Sequence, residues 1–258
     1  LGAGYEIIIC DSAFVSQSLP LMTTPCSILN TQDNQQMSET GYGLVIGDKN
    51  YSSWSLRPWL AMRRFSIPFE EINITLYEQE SRIRILKHSP SALVPALIVG
   101  DRTIWDTLAI LETLAEWHDA LPLWPKDRYA RALARSICAE MHSGFVGLRD
   151  EMPMNITGIT PAKEISEAVQ QNIRRIIAIW KQARDCDGQN GPFLFGDFSI
   201  ADAMYAPVAT RLRTFAVDLA AYDDDGTASA YIDTLFAMPE MSEWVEGARE
   251  ELARRGSA

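Results

Sequence analysis

The feature that most constrains this chain is a change of hydrophobic period part-way along it. Between residues 43 and 117 two periods alternate. The run G-L-V-I-G-D at 43–48 is short and apolar between glycines, as a buried strand is. The polar turn N-Y-S-S-W-S follows. Then L-R-P-W-L-A-M-R-R-F places Leu56, Trp59, Leu60 and Arg63 at helical spacing. Pro58 suits the first turn of that helix, where an amide has no partner to lose. Residues 69–76 alternate apolar and polar, which predicts a strand, and 79–88 read as a charged surface helix. Residues 96–99 and 102–105 are two short strands joined by the hairpin turn Gly100-Asp101. Leu108, Ile110, Leu111, Leu114 and Ala115 then mark an amphipathic helix. The predicted order is β-α-β-α-β-β-α.

Beyond the proline-containing connector D-A-L-P-L-W-P at 119–125, only the helical period remains. It predicts helices over 126–150, 162–185, 199–215, 228–237 and 239–254, with no strand among them. Ser199 and Asp202 have the spacing of a capping box, with Phe198 and Ala203 at the staple positions. The expected architecture is α/β plus all-α: an α/β domain over 41–118 and an all-helical domain over 126–258. Residues 1–40 differ from both. They hold no Lys or Arg, and from Ser16 onward are mostly Ser, Thr, Gln, Asn and Pro. Such a composition buries too little surface to fold alone. It also lacks the basic start of a secretory signal and the arginines of a transit peptide. The expectation is a disordered or mis-assigned extension, with Met37 as the true start.

Composition narrows the function classes. The formal charge is -11, without basic clusters, which argues against a nucleic-acid partner. The apolar runs fall short of the roughly 20 residues that span a bilayer, so no membrane partner is expected. Cys10, Cys26, Cys138 and Cys186 form no C-x-x-C pair and no zinc spacing. They are expected as free thiols in a reducing cytoplasm, with no metal bound.

Three places in the first domain suit a ligand. The first is Tyr51-Ser52-Ser53-Trp54, where a hydroxyl lies near the positive end of a helix dipole and can hold an anion or a thiolate. The second is Val94-Pro95, a candidate cis bond that would turn the Val94 backbone outward to pair with an extended peptide. The third is Asp106-Thr107 at a helix start, suited to a ligand amine and carboxylate. Each has a structural alternative: a serine N-cap, a strand-entry proline, and a second N-cap.

With the Ser turn before L-R-P-W-L-A, and with L-V-P-A-L, W-D-T-L-A-I-L-E-T-L-A-E and F-S-I-A-D-A in this order and spacing, the chain resembles the glutathione transferase superfamily from residue 43 to about 254. The Ser turn resembles the zeta-like and related bacterial groups. The resemblance implies a thioredoxin-like domain that binds glutathione and a helical domain that supplies the second-substrate pocket. By position, Ser52 matches the thiolate-stabilising serine, with Ser53 the close competitor. Val94 matches the residue pairing with the cysteinyl backbone of glutathione, and Pro95 the cis-proline. Asp106 and Thr107 match the acid-Ser pair that holds the γ-glutamyl end, with Asp one methylene shorter than the usual Glu. His142, Phe145 and Arg149 fall on the helix that lines the cleft. Arg149 suits an anionic substrate, while packing of Phe145 and a domain-interface ion pair for Arg149 are the alternative.

What the resemblance implies is a conjugating or isomerising enzyme acting on small electrophiles, with glutathione as co-substrate and no metal or nucleotide. A cytoplasmic homodimer is the implied form. A low-activity glutathione-binding stress protein and a non-catalytic, partner-binding member of the same fold are the alternatives.

Overall fold

Strand β1 (Tyr42–Gly47) lies inside the sheet because it pairs on both sides. The computed structural model describes residues 41–256 apart from residue 163. The expectations for residues 1–40, including Met37, Cys10 and Cys26, lie outside the described residues. The sheet order is β2-β1-β3-β4. β1 runs parallel to β2 (Phe69–Ile74), with Tyr42 opposite Phe69 and Gly47 opposite Ile74. It runs antiparallel to β3 (Ala96–Val99), with Tyr42 opposite Val99. β3 forms a hairpin with β4 (Arg102–Trp105).

The pleat sends alternate β1 residues to opposite faces. Leu44 and Ile46 join Leu97 and Val99 under α1 (Ser53–Arg64) and α3 (Thr107–Trp117). Val45 faces the other way, into a small cluster with Ile74, Ala96 and Ile85 of α2 (Ser81–Leu86). The larger cluster continues without interruption into the helical half.

That half contains α4 (Arg128–Ser143), α5 (Val146–Glu151), α6 (Glu167–Asp187), α7 (Ile200–Thr214), α8 (Thr227–Phe236) and α9 (Pro239–Gly256). Helix α7 is buried along almost its whole length and packs against α1, α4 and α8. Its start carries the expected capping box: the Ser199 amide donates to Asp202 Oδ2 at 2.8 Å. Among the described residues no helix is long and apolar enough to cross a membrane. Cys138 and Cys186 are free thiols, the first buried and the second exposed.

Three local expectations shift. The helix predicted over 126–150 is two helices, α4 and α5. Phe145 between them takes a left-handed conformation at φ 54°, and a Cβ on Gly144 would lie 2.7 Å from the Glu140 carbonyl oxygen. The helix predicted from 162 begins at Glu167, where Ser166 accepts the Val169 amide at 3.3 Å. Pro58 lies in the second turn of α1 rather than the first, because the helix already starts at Ser53. A proline there deprives the Trp54 carbonyl of its helical donor. The Thr107 hydroxyl supplies one instead, at 3.0 Å.

Candidate active site

The turn between β1 and α1 is held from several sides before it reaches its serines. Asp48, buried at its start, accepts the amides of Tyr51 and Ser52 on its carbonyl, and the Leu76 amide on Oδ2 at 2.8 Å. Arg255 of α9 pairs with its other carboxylate oxygen. Burial pushes the Asp48 carboxyl up, against the pull of the Leu76 amide and of Arg255. The Lys49 carbonyl accepts Trp244 Nε1 at 2.7 Å, and the Lys49 amide donates to Glu251 at 2.8 Å. Asn50 is buried and donates to Asn155 Oδ1 at 2.9 Å. Its Oδ1 accepts the amide and hydroxyl of Thr157.

The two serines then part. Ser52 occupies the N-cap position of α1 but makes no side-chain capping bond. Its hydroxyl donates to Ser55 Oγ at 2.7 Å, and Ser55 Oγ also accepts the Gly47 amide at 3.1 Å. Ser53 Oγ accepts Nη2 of Arg211, from α7, at 3.2 Å. Each serine is 6% exposed.

Val94-Pro95 is a cis peptide bond. The β3 ladder begins at Ala96, so the Val94 backbone groups lie outside it. Next to this, Asp106 caps α3 from a left-handed conformation, φ 76°. Its Oδ1 accepts the amides of Leu108 and Ala109 at 2.9 and 3.1 Å. Its Oδ2 lies 2.6 Å from His142 Nε2, on α4. Thr107 is buried, and its hydroxyl is spent on the Trp54 carbonyl.

Trp54 ties these parts together. Its ring meets the His142 ring edge-on at 5.4 Å between centroids. The guanidinium of Arg57 lies 4.2 Å from its centroid and that of Arg149 5.5 Å. Arg149 also donates to the His142 carbonyl at 3.2 Å. Burial lowers the Arg149 pKa, with Asp150 opposing it. The structure therefore brings His142 and Arg149 to the Trp54 ring, Asp106 to His142, and the Thr107 hydroxyl to the Trp54 carbonyl. Phe145 packs instead into the core.

The sequence does not single out Arg57, Arg211 or Asn50, and Trp54 enters only as the end of the serine turn. The signal for the two arginines is a charge set inside an apolar helical run, L-R-P-W-L-A and P-V-A-T-R-L. Among the described residues no group of three His, Cys, Asp or Glu side chains is arranged to hold a metal ion.

Comparison with known proteins gives this arrangement a family. Residues 51–117 match the glutathione S-transferase N-terminal domain, and residues 163–253 match the glutathione S-transferase C-terminal domain. A probable maleylacetoacetate isomerase of Caenorhabditis elegans is 28% identical over 192 residues, covering 72% of this chain and 85% of that protein. A zeta-class glutathione S-transferase of Euphorbia esula is 27% identical over 173 residues, covering 65% and 76%. A Burkholderia glutathione transferase homologue, solved with bound glutathione, shares the fold with a TM-score of 0.60 at 21% identity, covering 81% of this chain and 98% of that one. With both domain models matched in order on a βαβαββα unit followed by helices, the chain belongs to the glutathione S-transferase superfamily.

Proposed function

We propose that this chain is a glutathione-dependent transferase or isomerase of the zeta-like kind. The observation that carries the reading is convergence. The Ser52-Ser53 turn, the cis Val94-Pro95 step and the Asp106 cap lie at one end of one sheet, beside His142 of α4 and Arg149 of α5.

Each group has a role in holding a γ-glutamyl tripeptide. The free Val94 backbone pairs with the cysteinyl residue as a sheet edge pairs with a strand. Asp106 takes the γ-glutamyl ammonium on Oδ2, in competition with His142. Thr107 has spent its hydroxyl, so its amide at the start of α3 is what it offers the ligand carboxylate. The cysteinyl sulfur then falls by the Ser turn. A serine hydroxyl is too weak a base to remove the thiol proton at neutral pH. Donating a hydrogen bond to the sulfur anion, it lowers the thiol pKa and the proton goes to solvent.

The thiolate attacks an electrophilic carbon, or adds to an activated double bond. In the second case a C–S bond forms while the C=C bond becomes single and rotates. Breaking the C–S bond then restores the double bond in the other geometry and returns glutathione. Arg149, half-buried over Trp54, suits an anionic electrophile such as the acids named for the isomerase relatives. A homodimer in the cytoplasm is part of the same proposal.

Retention on immobilised glutathione, with elution by free glutathione, is the direct test. Turnover is then measured with a general aromatic electrophile and with a maleylacetoacetate-type acid. We expect retention and turnover of at least one substrate. A chain that neither binds glutathione nor turns over either substrate contradicts the reading.

A further inference from the structure

Buried arginines ordinarily come with carboxylates. The packing of α1 on α7 buries two that do not. Arg57 is fully buried. Its Nε donates to the Met204 carbonyl at 3.0 Å and its Nη1 to the Ser53 carbonyl at 2.8 Å, while Nη2 has no partner. Arg211 is 4% exposed. Its Nη1 donates to the Pro207 carbonyl at 3.1 Å and its Nη2 to Ser53 Oγ at 3.2 Å, while Nε has no partner. Every acceptor these two use is a neutral oxygen.

The groups around them do not cancel the charge. Arg149 of α5 acts on both as a third cation. Cys138 of α4 and Tyr205 of α7 face Arg57, and burial pushes both of their pKa values up, so both stay neutral. Glu112 of α3 and Asp202 of α7 act on Cys138 rather than on the arginines. Burial, reinforced by Arg149, pushes Arg211 down to about 10, which still leaves it charged at neutral pH. Asp106 and His142 are paired with each other.

The two serines consequently differ as donors. The Ser52 proton is directed to Ser55 Oγ. Ser53 accepts from a guanidinium, which leaves its own proton free and polarises its O–H bond.

We propose that Ser53 is the hydroxyl that donates to the glutathione thiolate, and that Arg211, from the helical domain, is the positioning residue that orients and polarises it. The inference rests on the glutathione-dependent reading above. The acidity of the bound thiol is then set in part from across the domain boundary. Ionisation releases the thiol proton to solvent, and the Ser53 proton is shared with sulfur but not transferred.

The test is a pH titration of the thiolate ultraviolet absorbance of bound glutathione. Arg211→Gln raises the bound thiol pKa by about one unit, the lower end for loss of a neighbouring opposite charge. Below both pKa values that is about tenfold less thiolate. Arg211→Lys recovers part of the shift. Ser53→Ala raises the pKa by at least as much as Arg211→Gln, and Ser52→Ala by less. In a Ser53→Ala background, Arg211→Gln adds less than it does alone, because it acts through that hydroxyl. A thiol pKa unmoved by Arg211→Gln, or a larger shift from Ser52→Ala than from Ser53→Ala, overturns the inference. Should Arg211→Gln fail to fold, the Arg211→Lys variant and the two serine variants still decide it. Wild-type protein that binds no glutathione defeats the functional reading itself. Normal wild-type binding with an indifferent Arg211 defeats only this inference.

Discussion

Asp106 shows what one residue does when two demands meet on it. A left-handed backbone costs a non-glycine residue about 1–3 kcal/mol. Here that cost is offset by two amide bonds to Oδ1, and it aims Oδ2 across the domain boundary at His142. The capping role is readable from W-D-T-L alone. The contact with His142 is not, because it spans 36 positions and depends on how α4 packs. The same contrast holds at Asp202. Its partner Ser199 stands three residues away, and the box is legible as a spacing. Its bonds to Tyr231 at 3.0 Å and to the Leu194 amide are products of the fold.

Burial raises the Asp202 pKa to about 6 from 3.8, against the four hydrogen bonds it receives. A raised carboxyl contributes stability that is fully present below the unfolded value and lost as pH rises through the folded one. Asp202 therefore favours the folded state most below about pH 4 and has given up about 3 kcal/mol of that by pH 7, at 1.36 kcal/mol per unit. In denaturant melts, Asp202→Asn should be most destabilising relative to wild type below about pH 4, with the gap narrowing toward pH 7. A gap independent of pH would count against the raised pKa.

Elements were legible where period and punctuation agree. The strands, the hairpin at Gly100-Asp101 and the start of α7 follow from local residues. The break between α4 and α5 escapes any pattern. Met141, Phe145 and Leu148 keep the spacing of one helical stripe, and all three are buried as if the helix ran on. Only the close approach at Gly144 and the left-handed Phe145 reveal two helices. Pro58 sets a similar demand within one helix. It leaves a carbonyl in the middle of α1 that a neighbouring helix must satisfy, and Thr107 of α3 does so. Thr107→Val preserves the shape and removes the donor. It should cost about 1–3 kcal/mol, the penalty for a buried polar group left unpaired. Thr107→Ser should recover most of it. Chemical denaturation of the two variants checks this, and equal stability of Val and Ser at this position would contradict it.

The candidate site belongs to the seam between the two domains. The β1–α1 turn hangs from Trp244, Glu251 and Arg255 of α9, and from Asn155 and Thr157 after α5. Ser53 is held by α7 and Asp106 by α4. The candidate residues of the first domain can be picked out from the sequence because each sits in a short motif at a strand or helix end. The residues that hold them cannot, because they come from up to about 200 positions away. Hydrogen bonds from neighbouring elements of this kind can fix a side chain to within a fraction of an ångström.

On the function proposed, this seam holds glutathione, with Asp106 taking the ammonium of its γ-glutamyl end. Calorimetric titration of glutathione into the wild-type chain and into Asp106→Asn tests it most directly. Asn retains an acceptor oxygen for the α3 cap but carries no charge. Wild type should show saturable single-site binding. The variant should bind at least about tenfold more weakly, from loss of one charge-assisted bond of about 1.5–3 kcal/mol. No binding heat in wild type, or equal affinity in the two, would contradict it.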